Sequence, residues 1–202
     1  MEHTIAMNSW YLPVITLILI SYYLIKIFNR LVQLENENKN AFTQISVQLK
    51  RRHDLIPNLV EIAKTYLKHE SNTLESVIAA RNHADATRRK ADRSPTPQTV
   101  GDLMGAENIL TGALGSLFAV VENYPDLKAD LTMGRLHEEL VSTENRVAFA
   151  RQAFNDAVMV YNTRCESFPD AIIAHLGGFK KAVLWNDISQ EEREAVTISF
   201  DR

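Results

Sequence analysis

From Thr4 to Ile25 the chain carries no charged side chain, and that stretch alone leaves few folds open. As a helix rising about 1.5 Å per residue it reaches roughly 33 Å, against a hydrocarbon core of about 30 Å. Trp10 and Tyr11 near one end, and Tyr22 and Tyr23 near the other, have the amphipathic rings that sit at headgroup level. Pro13 falls in the first turns, where a missing N–H does least harm. The competing reading is a cleaved secretory signal, which wants a basic start and small residues at its cleavage site. Here Glu2 precedes the run, and bulky Tyr22, Tyr23 and Leu24 stand where small residues belong. The expectation is a retained anchor over residues 1–26. Lys26, Arg30 and Lys39 follow the span and no Lys or Arg precedes it. Because positive charge gathers on the cytoplasmic side, a single pass with the N-terminus outside and the rest cytoplasmic is predicted. Cys165 is the one cysteine, so no internal disulfide can form, which suits a reducing compartment.

Beyond the anchor the apolar spacing is helical throughout. Leu136, Leu140, Thr143, Val147, Ala150, Phe154, Ala157 and Tyr161 follow one another in steps of three and four, a seam about 40 Å long. A second seam runs Leu103, Ala106, Leu110, Ala113, Leu117, Val121 and ends at Tyr124-Pro125. The first cytoplasmic helix offers Ile27, Leu31, Leu34, Ala41, Ile45 and Leu49, then Leu59, Ile62 and Tyr66. Pro57 interrupts it and removes the bond to the His53 carbonyl, so a kink or restart is expected there. A shorter helix over about 72–90 precedes the linker Asp92-Arg93-Ser94-Pro95-Thr96-Pro97. Short connections make sequential helices antiparallel neighbours. The predicted fold is therefore all-α: a transmembrane helix followed by an up-down-up-down four-helix bundle over 27–168, with a tail over 169–202.

Several stretches are more specific than periodicity. Lys39-Asn40-Ala41-Phe42-Thr43-Gln44-Ile45 leads into Val47-Gln48-Leu49-Lys50-Arg51-Arg52-His53-Asp54-Leu55-Ile56-Pro57-Asn58-Leu59-Val60-Glu61. Later come Leu117 to Ala129, with Glu122-Asn123-Tyr124-Pro125 at its centre, then Thr143-Glu144-Asn145-Arg146-Val147-Ala148-Phe149-Ala150-Arg151, Asn155-Asp156-Ala157-Val158 and Tyr161-Asn162. Over roughly 28–179 these resemble the LemA family of bacterial membrane proteins. The resemblance implies an N-terminal transmembrane helix, a short external N-terminus and a cytoplasmic four-helix bundle in the bacterial cell membrane, the inner one where there are two. It supplies no activity. His53, Asp54, Pro57, Asn58, Glu122, Asn123, Tyr124, Asn145 and Asn155 are matched positions without an assigned role; capping and satisfying buried polar groups are their plainest uses. The chain departs from the family near its end, where Ala174-His175-Leu176-Gly177-Gly178-Phe179 replaces a Phe-Gly-Phe-like step.

The residues give little sign of chemistry. None of His3, His53, His69, His83, His137 and His175 has Glu three positions earlier, the spacing a di-iron bundle needs. His-Glu-x-x-His, phosphate-binding loops and a nucleophile elbow are missing too. His137-Glu138-Glu139 reads as a solvated helix start. No catalytic residue, metal or cofactor is expected. A formal charge of −3 offers no field for nucleic acid, which is not expected as a partner. The partners expected are the lipid bilayer and proteins, with a second copy of the chain among the candidates.

Two surfaces are singled out. Lys50, Arg51 and Arg52, facing Arg88, Arg89 and Lys90 across a helix pair, could form a basic belt for an acidic partner; ordinary solvated faces are the plainer reading. At about 35–40 Å from Lys26 along a continuous helix, the belt lies several Debye lengths from the bilayer. Ile172, Ile173, Lys180, Lys181 and Trp185 suit an interfacial membrane contact, or else fold under the bundle and cap its core. Ser189-Gln190-Glu191-Glu192 looks like a capping box opening a short last helix. The functional expectation is a membrane-anchored scaffold or adaptor. A membrane-remodelling or lipid-surface protein is the alternative, and a metal-dependent or hydrolytic enzyme is disfavoured.

Overall fold

The computed structural model describes residues 11–185, and within them it is helical without strands. Six helices are present among these residues: α1 Tyr11–Tyr66, α2 Ser71–Arg93, α3 Pro97–Val121, α4 Pro125–Lys128, α5 Leu131–Glu166 and α6 Asp170–Leu176. The start of the anchor at Thr4, Trp10 at its edge, and the capping box at Ser189 lie outside the described residues. The chain divides into two units: residues 11–41 with 156–182, and residues 42–155 with 183–185.

Local chemistry explains where the helices begin and end. Pro97 opens α3, where its fixed φ helps and its absent N–H costs nothing. Thr96 caps that helix reciprocally with Thr99: each hydroxyl accepts the other's backbone N–H, at 3.2 and 2.9 Å. Asp130 precedes α5, and its Oδ1 accepts the N–H groups of Thr132 and Met133 at 2.8 and 2.9 Å. These bonds, foremost the one from Met133, hold the Asp130 carboxyl below the usual range. The Tyr66 hydroxyl donates to the same carboxylate at 3.1 Å and is itself pushed up by that bond.

In the larger unit, α1, α2, α3, α4 and α5 all contribute to one core. Ile56, Leu59 and Ala63 meet Leu74, Val77 and Ala84, with Ala106, Leu110, Leu117, Leu127, Met133 and Leu140. Small residues on α2 let the neighbouring backbone approach. α3 is apolar and long enough to cross a membrane, yet Val100, Leu103, Ala106, Leu110, Leu114, Leu117 and Val121 are buried along it. In the smaller unit Ile27, Leu31 and Ala174 are buried together, with Cys165, Ile173 and Phe179 packed against them. Ahead of that cluster, Tyr11 to Lys26 are all exposed. The helix they open is long and apolar enough at this end to cross a membrane.

Two local expectations are corrected. Of the kink or restart expected at Pro57, the restart does not occur, and one helix runs through it. The carbonyl it orphans is that of His53, four residues earlier, and Arg81 Nε on α2 donates to that oxygen at 3.0 Å. The tertiary bond replaces the missing helical one. His137 does not start a helix either: α5 begins at Leu131, and the His137 ring packs edge-on against Phe118 with centroids 4.4 Å apart.

Candidate functional site

On α1 the buried seam of the larger unit runs Phe42, Ile45, Leu49, Ile56, Leu59, Ala63. In steps of three and four, that seam has to pass through Arg52 and His53. Both are buried, at 4% and 0% exposure, and so is Glu107 of α3, at 0%. A lone buried charge is prohibitively costly, so such groups persist only when paired and hydrogen-bonded. Here they pair with one another. Glu107 Oε1 accepts from His53 Nε2 at 2.7 Å, and Glu107 Oε2 lies 3.4 Å from Arg52 Nη1. Arg52 also reaches Glu144 Oε2 of α5 at 2.9 Å, while its Nη2 donates to Thr111 Oγ1 of α3 at 3.1 Å. Glu144 is part-exposed, which brings the cluster to the surface.

A second set of pairs adjoins it. Arg88 of α2 donates from Nη2 to Asp85 Oδ1 at 2.8 Å, and from Nη1 to Asp92 Oδ2 at 2.7 Å and Ser46 Oγ of α1 at 3.2 Å. Arg89 Nε donates to Asp85 Oδ2 at 2.9 Å. Burial pushes the Asp85 carboxyl up, but the hydrogen bonds and charges of Arg88 and Arg89 outweigh it and hold the group at about 2. His53 Nδ1 stands 3.8 Å from Asp85 Oδ1, too far for a hydrogen bond. The network thus joins α1, α2, α3 and α5 through paired polar and charged groups. Its chemistry is that of a register lock, because apolar faces tolerate sliding whereas buried ion pairs do not.

The residues of the basic belt are divided by this arrangement. Arg52 and Arg88 lie inside. Lys50, Arg51 and Arg89 are exposed and paired, with Asp54 at 2.8 Å, Glu139 at 2.8 Å and Asp85 at 2.8 Å. Lys90 is exposed at the last turn of α2. Asp54 is shared between Lys50 and Arg81, whose Nη2 stands 3.9 Å away. Among the matched positions, Pro57, Asn58 and Asn145 are exposed and Tyr124 is half-buried against the core. Glu122 takes Lys128 Nζ at 2.5 Å, and Asn123 Nδ2 reaches the Ala119 carbonyl at 3.5 Å. Glu107, Asp85, Thr111, Glu144, Ser46 and Arg81 escaped notice in the sequence. The signal that could have found Glu107 is a charge between Ala106 and Leu110, on the apolar face of a helix.

The membrane-contact residues are likewise divided. Trp185 is 2% exposed, with the Arg151 guanidinium 5.0 Å from its ring centroid. Asn155 holds its backbone on both sides: Nδ2 donates to the Trp185 carbonyl at 2.8 Å and Oδ1 accepts the Trp185 N–H at 2.7 Å. In the smaller unit Asn162 does the same for Ala182, at 2.9 Å in both directions. The Tyr161 hydroxyl donates to the Lys180 carbonyl at 2.9 Å, and burial, foremost, pushes that phenol up. Ile173 faces inward, whereas Ile172, Lys180 and Lys181 are exposed, Lys181 paired with Glu166.

The profile of the LemA family matches residues 41–200, a range that holds every member of the buried network. The chain belongs to the LemA family. Its relatives include magnetosome proteins MamQ 1 and MamQ 2 of Paramagnetospirillum magneticum, each 29% identical over an alignment 171 residues long that covers 77% of this chain and 63% of theirs. Magnetosome protein MamQ of Magnetospirillum gryphiswaldense is 27% identical over an alignment 192 residues long that covers 87% of this chain and 71% of that protein. The LemA-family chain thus spans less than two thirds of the first two relatives' length.

Proposed function

We propose that this protein is a membrane-anchored scaffold or adaptor rather than an enzyme. The exposed apolar start of α1 spans the bacterial cell membrane once, with the N-terminus outside. The helices beyond it form an up-down-up-down four-helix bundle in the cytoplasm, which presents its outer faces to protein partners. Lys26, Arg30 and Lys39 on the far side of the span support that orientation.

The observation carrying the reading is apolar surface that the core does not use. On α5, Leu140, Thr143, Val147 and Phe154 face inward. Val141 and Phe149, on a row four residues apart with Asn145 between them, are 49% and 73% exposed. A phenylalanine left in water beside a filled core suits a contact surface. The test is a photoreactive phenylalanine analogue at position 149 of the full-length protein in its cells, with exposed Glu138 as the control. Adducts of defined mass at 149 alone are expected. Mass photometry of the detergent-solubilised full-length protein then separates self-association from binding of another protein. Equal labelling at both positions, together with a monomer in detergent, overturns the scaffold.

A second reading, a lipid-surface protein, is favoured by apolar side chains left exposed beside α6.

A further inference from the structure

α6 is split between two faces. Ile173 and Ala174 turn toward Ile27 and Leu31 of α1, and Asp170 is buried and held by Arg164 at 3.1 Å. On the other side, Phe168, Ile172 and Leu176 recur at intervals of four and are 84%, 53% and 77% exposed. Three large apolar side chains in water on so short a segment are not explained by the core of the smaller unit, to which they do not contribute.

Two features fix where this face sits. The first is the end of α6. The N–H of Phe179 bonds the Ala174 carbonyl at 3.0 Å and that of Gly178 bonds the His175 carbonyl at 3.3 Å, with Gly178 at φ +74°. This is a Schellman motif, and it needs a residue that adopts positive φ without strain. Gly177 is constrained by proximity: a Cβ there would stand 2.7 Å from the Phe179 ring. The turn delivers Phe179 edge-on to Phe28 of α1, with centroids 5.5 Å apart. The second feature is the register along α1. Ile27 and Leu31 follow Ile25, the last residue of the uncharged run, by two and six positions, about 3 and 9 Å of rise. The polar region outside the hydrocarbon core is roughly 5–8 Å deep on each side. α6 is therefore fastened to α1 at headgroup depth.

We propose that Phe168, Ile172 and Leu176 dip into the bilayer interface beside the anchor, making α6 a second membrane contact. This rests on the reading that the start of α1 spans the membrane. The occupant is lipid, because α6 packs on α1 directly after the exposed apolar run of that helix. Exposed Lys26 and Lys180 supply charge for anionic headgroups. Interfacial helices bury an apolar face about 5–10 Å into the headgroup and acyl boundary, which matches that register.

The test uses the full-length protein carrying Cys165→Ser, in vesicles of phosphatidylcholine and phosphatidylglycerol. A single cysteine bearing an environment-sensitive fluorophore is placed at Leu176, Ile172 or Ile18 in turn. Labels at 176 and 172 should shift to the blue and lose emission to nitroxides near the headgroup more than to nitroxides at the bilayer centre. The label at 18 should show the reverse depth order. The signal at 176 should persist in nanodiscs holding one copy each. Quenching at 18 with none at 176 and 172 overturns the α6 contact and leaves the anchor standing; no lipid quenching at 18 overturns the anchor itself. A signal at 176 that vanishes at one copy per disc assigns the face to a second copy of the chain and refutes the lipid contact.

Discussion

Replacing Glu107 with leucine tests the register lock directly. Glu107 is fully buried and holds both His53, at 2.7 Å, and Arg52, at 3.4 Å. Removing it leaves a guanidinium with 5% side-chain exposure and an imidazole at 0% without their shared carboxylate. Breaking one side of a buried pair costs about 3–5 kcal/mol, because the remaining charge is uncompensated. Arg52 keeps Glu144 at 2.9 Å and Thr111 at 3.1 Å, so the lower end of that range applies. For a chain of 202 residues, about 3 kcal/mol corresponds to a drop in Tm of roughly 6–12 °C. Thermal unfolding of the full-length protein in detergent, followed by circular dichroism at 222 nm, reads it. The exposed pair Lys50–Asp54, 2.8 Å long, is the control, and Lys50→Ala should cost less than about 1 kcal/mol. The triple variant Arg52→Met, His53→Leu, Glu107→Leu should recover most of the loss, since an apolar replacement of a whole buried pair is often neutral or better. A Glu107→Leu variant no less stable than Lys50→Ala refutes the reasoning. So does a triple variant as unstable as the single one, which would mean the loss comes from packing at 107.

Three other outcomes are expected. Asp85 sits at about 2 against 3.8 for a free carboxylate, a difference worth roughly 2 kcal/mol. Because its folded value is depressed, that stability is present above pH 4 and lost as pH falls towards 2. Asp85→Asn should therefore lose roughly 2 kcal/mol at pH 7 and flatten the acid-unfolding curve between pH 4 and pH 2. Arg81→Met removes the donor at the His53 carbonyl and should cost about 1 kcal/mol. Pro57→Ala, which restores a helical N–H to that carbonyl, should shrink the cost of Arg81→Met in a double-mutant cycle of thermal stabilities. Asn155→Ala cuts both bonds to the Trp185 backbone, so in a Trp10→Phe background the emission of Trp185 should move to longer wavelength; an unchanged spectrum means Arg151 and the packing hold the ring alone.

Much of the helical plan was legible because steps of three and four register only which face turns inward. Along the seam from Leu136 to Tyr161, Leu140, Thr143, Val147, Phe154 and Tyr161 are buried, and Leu136, Ala150 and Ala157 are half-buried. Leu103, Ala106, Leu110, Leu117 and Val121 behave alike. What the period does not reveal is a charge on the inner face whose partner lies far along the chain. Arg51 and Arg52 are neighbours in a basic run, yet one is exposed and the other buried, and Glu107 is fifty-five positions from Arg52. The seam through Ile45, Leu49 and Ile56 needs an inward residue near 52 or 53, so continuing the count past Leu49 flags both. Trp185 was harder to place, because the groups that hold it, Asn155 and Arg151, sit thirty or more residues earlier in an unrelated stretch of helix.

The same physics explains why the network and the exposed faces belong to different tasks. Apolar contact is non-directional, so a core built on Leu, Ala and Val alone would tolerate helices shifted by a turn. His53, Arg52, Glu107 and Arg88 are directional, and one shifted turn would part each group from its partner. Their cost in desolvation is accepted where it fixes one arrangement. Once that arrangement is fixed from inside, the outer faces are free of structural duty. Phe149 on α5 can then be large, apolar and exposed without endangering the fold, and in the smaller unit Leu176 on α6 stands outside the buried cluster. Substitution to glutamate makes the distinction measurable: Phe149→Glu and Leu176→Glu should leave stability within about 1 kcal/mol of the parent, while altering crosslinking at the first site and lipid quenching at the second. If either lowered stability as Glu107→Leu does, that residue would belong to the core's architecture and its proposed contact would fall.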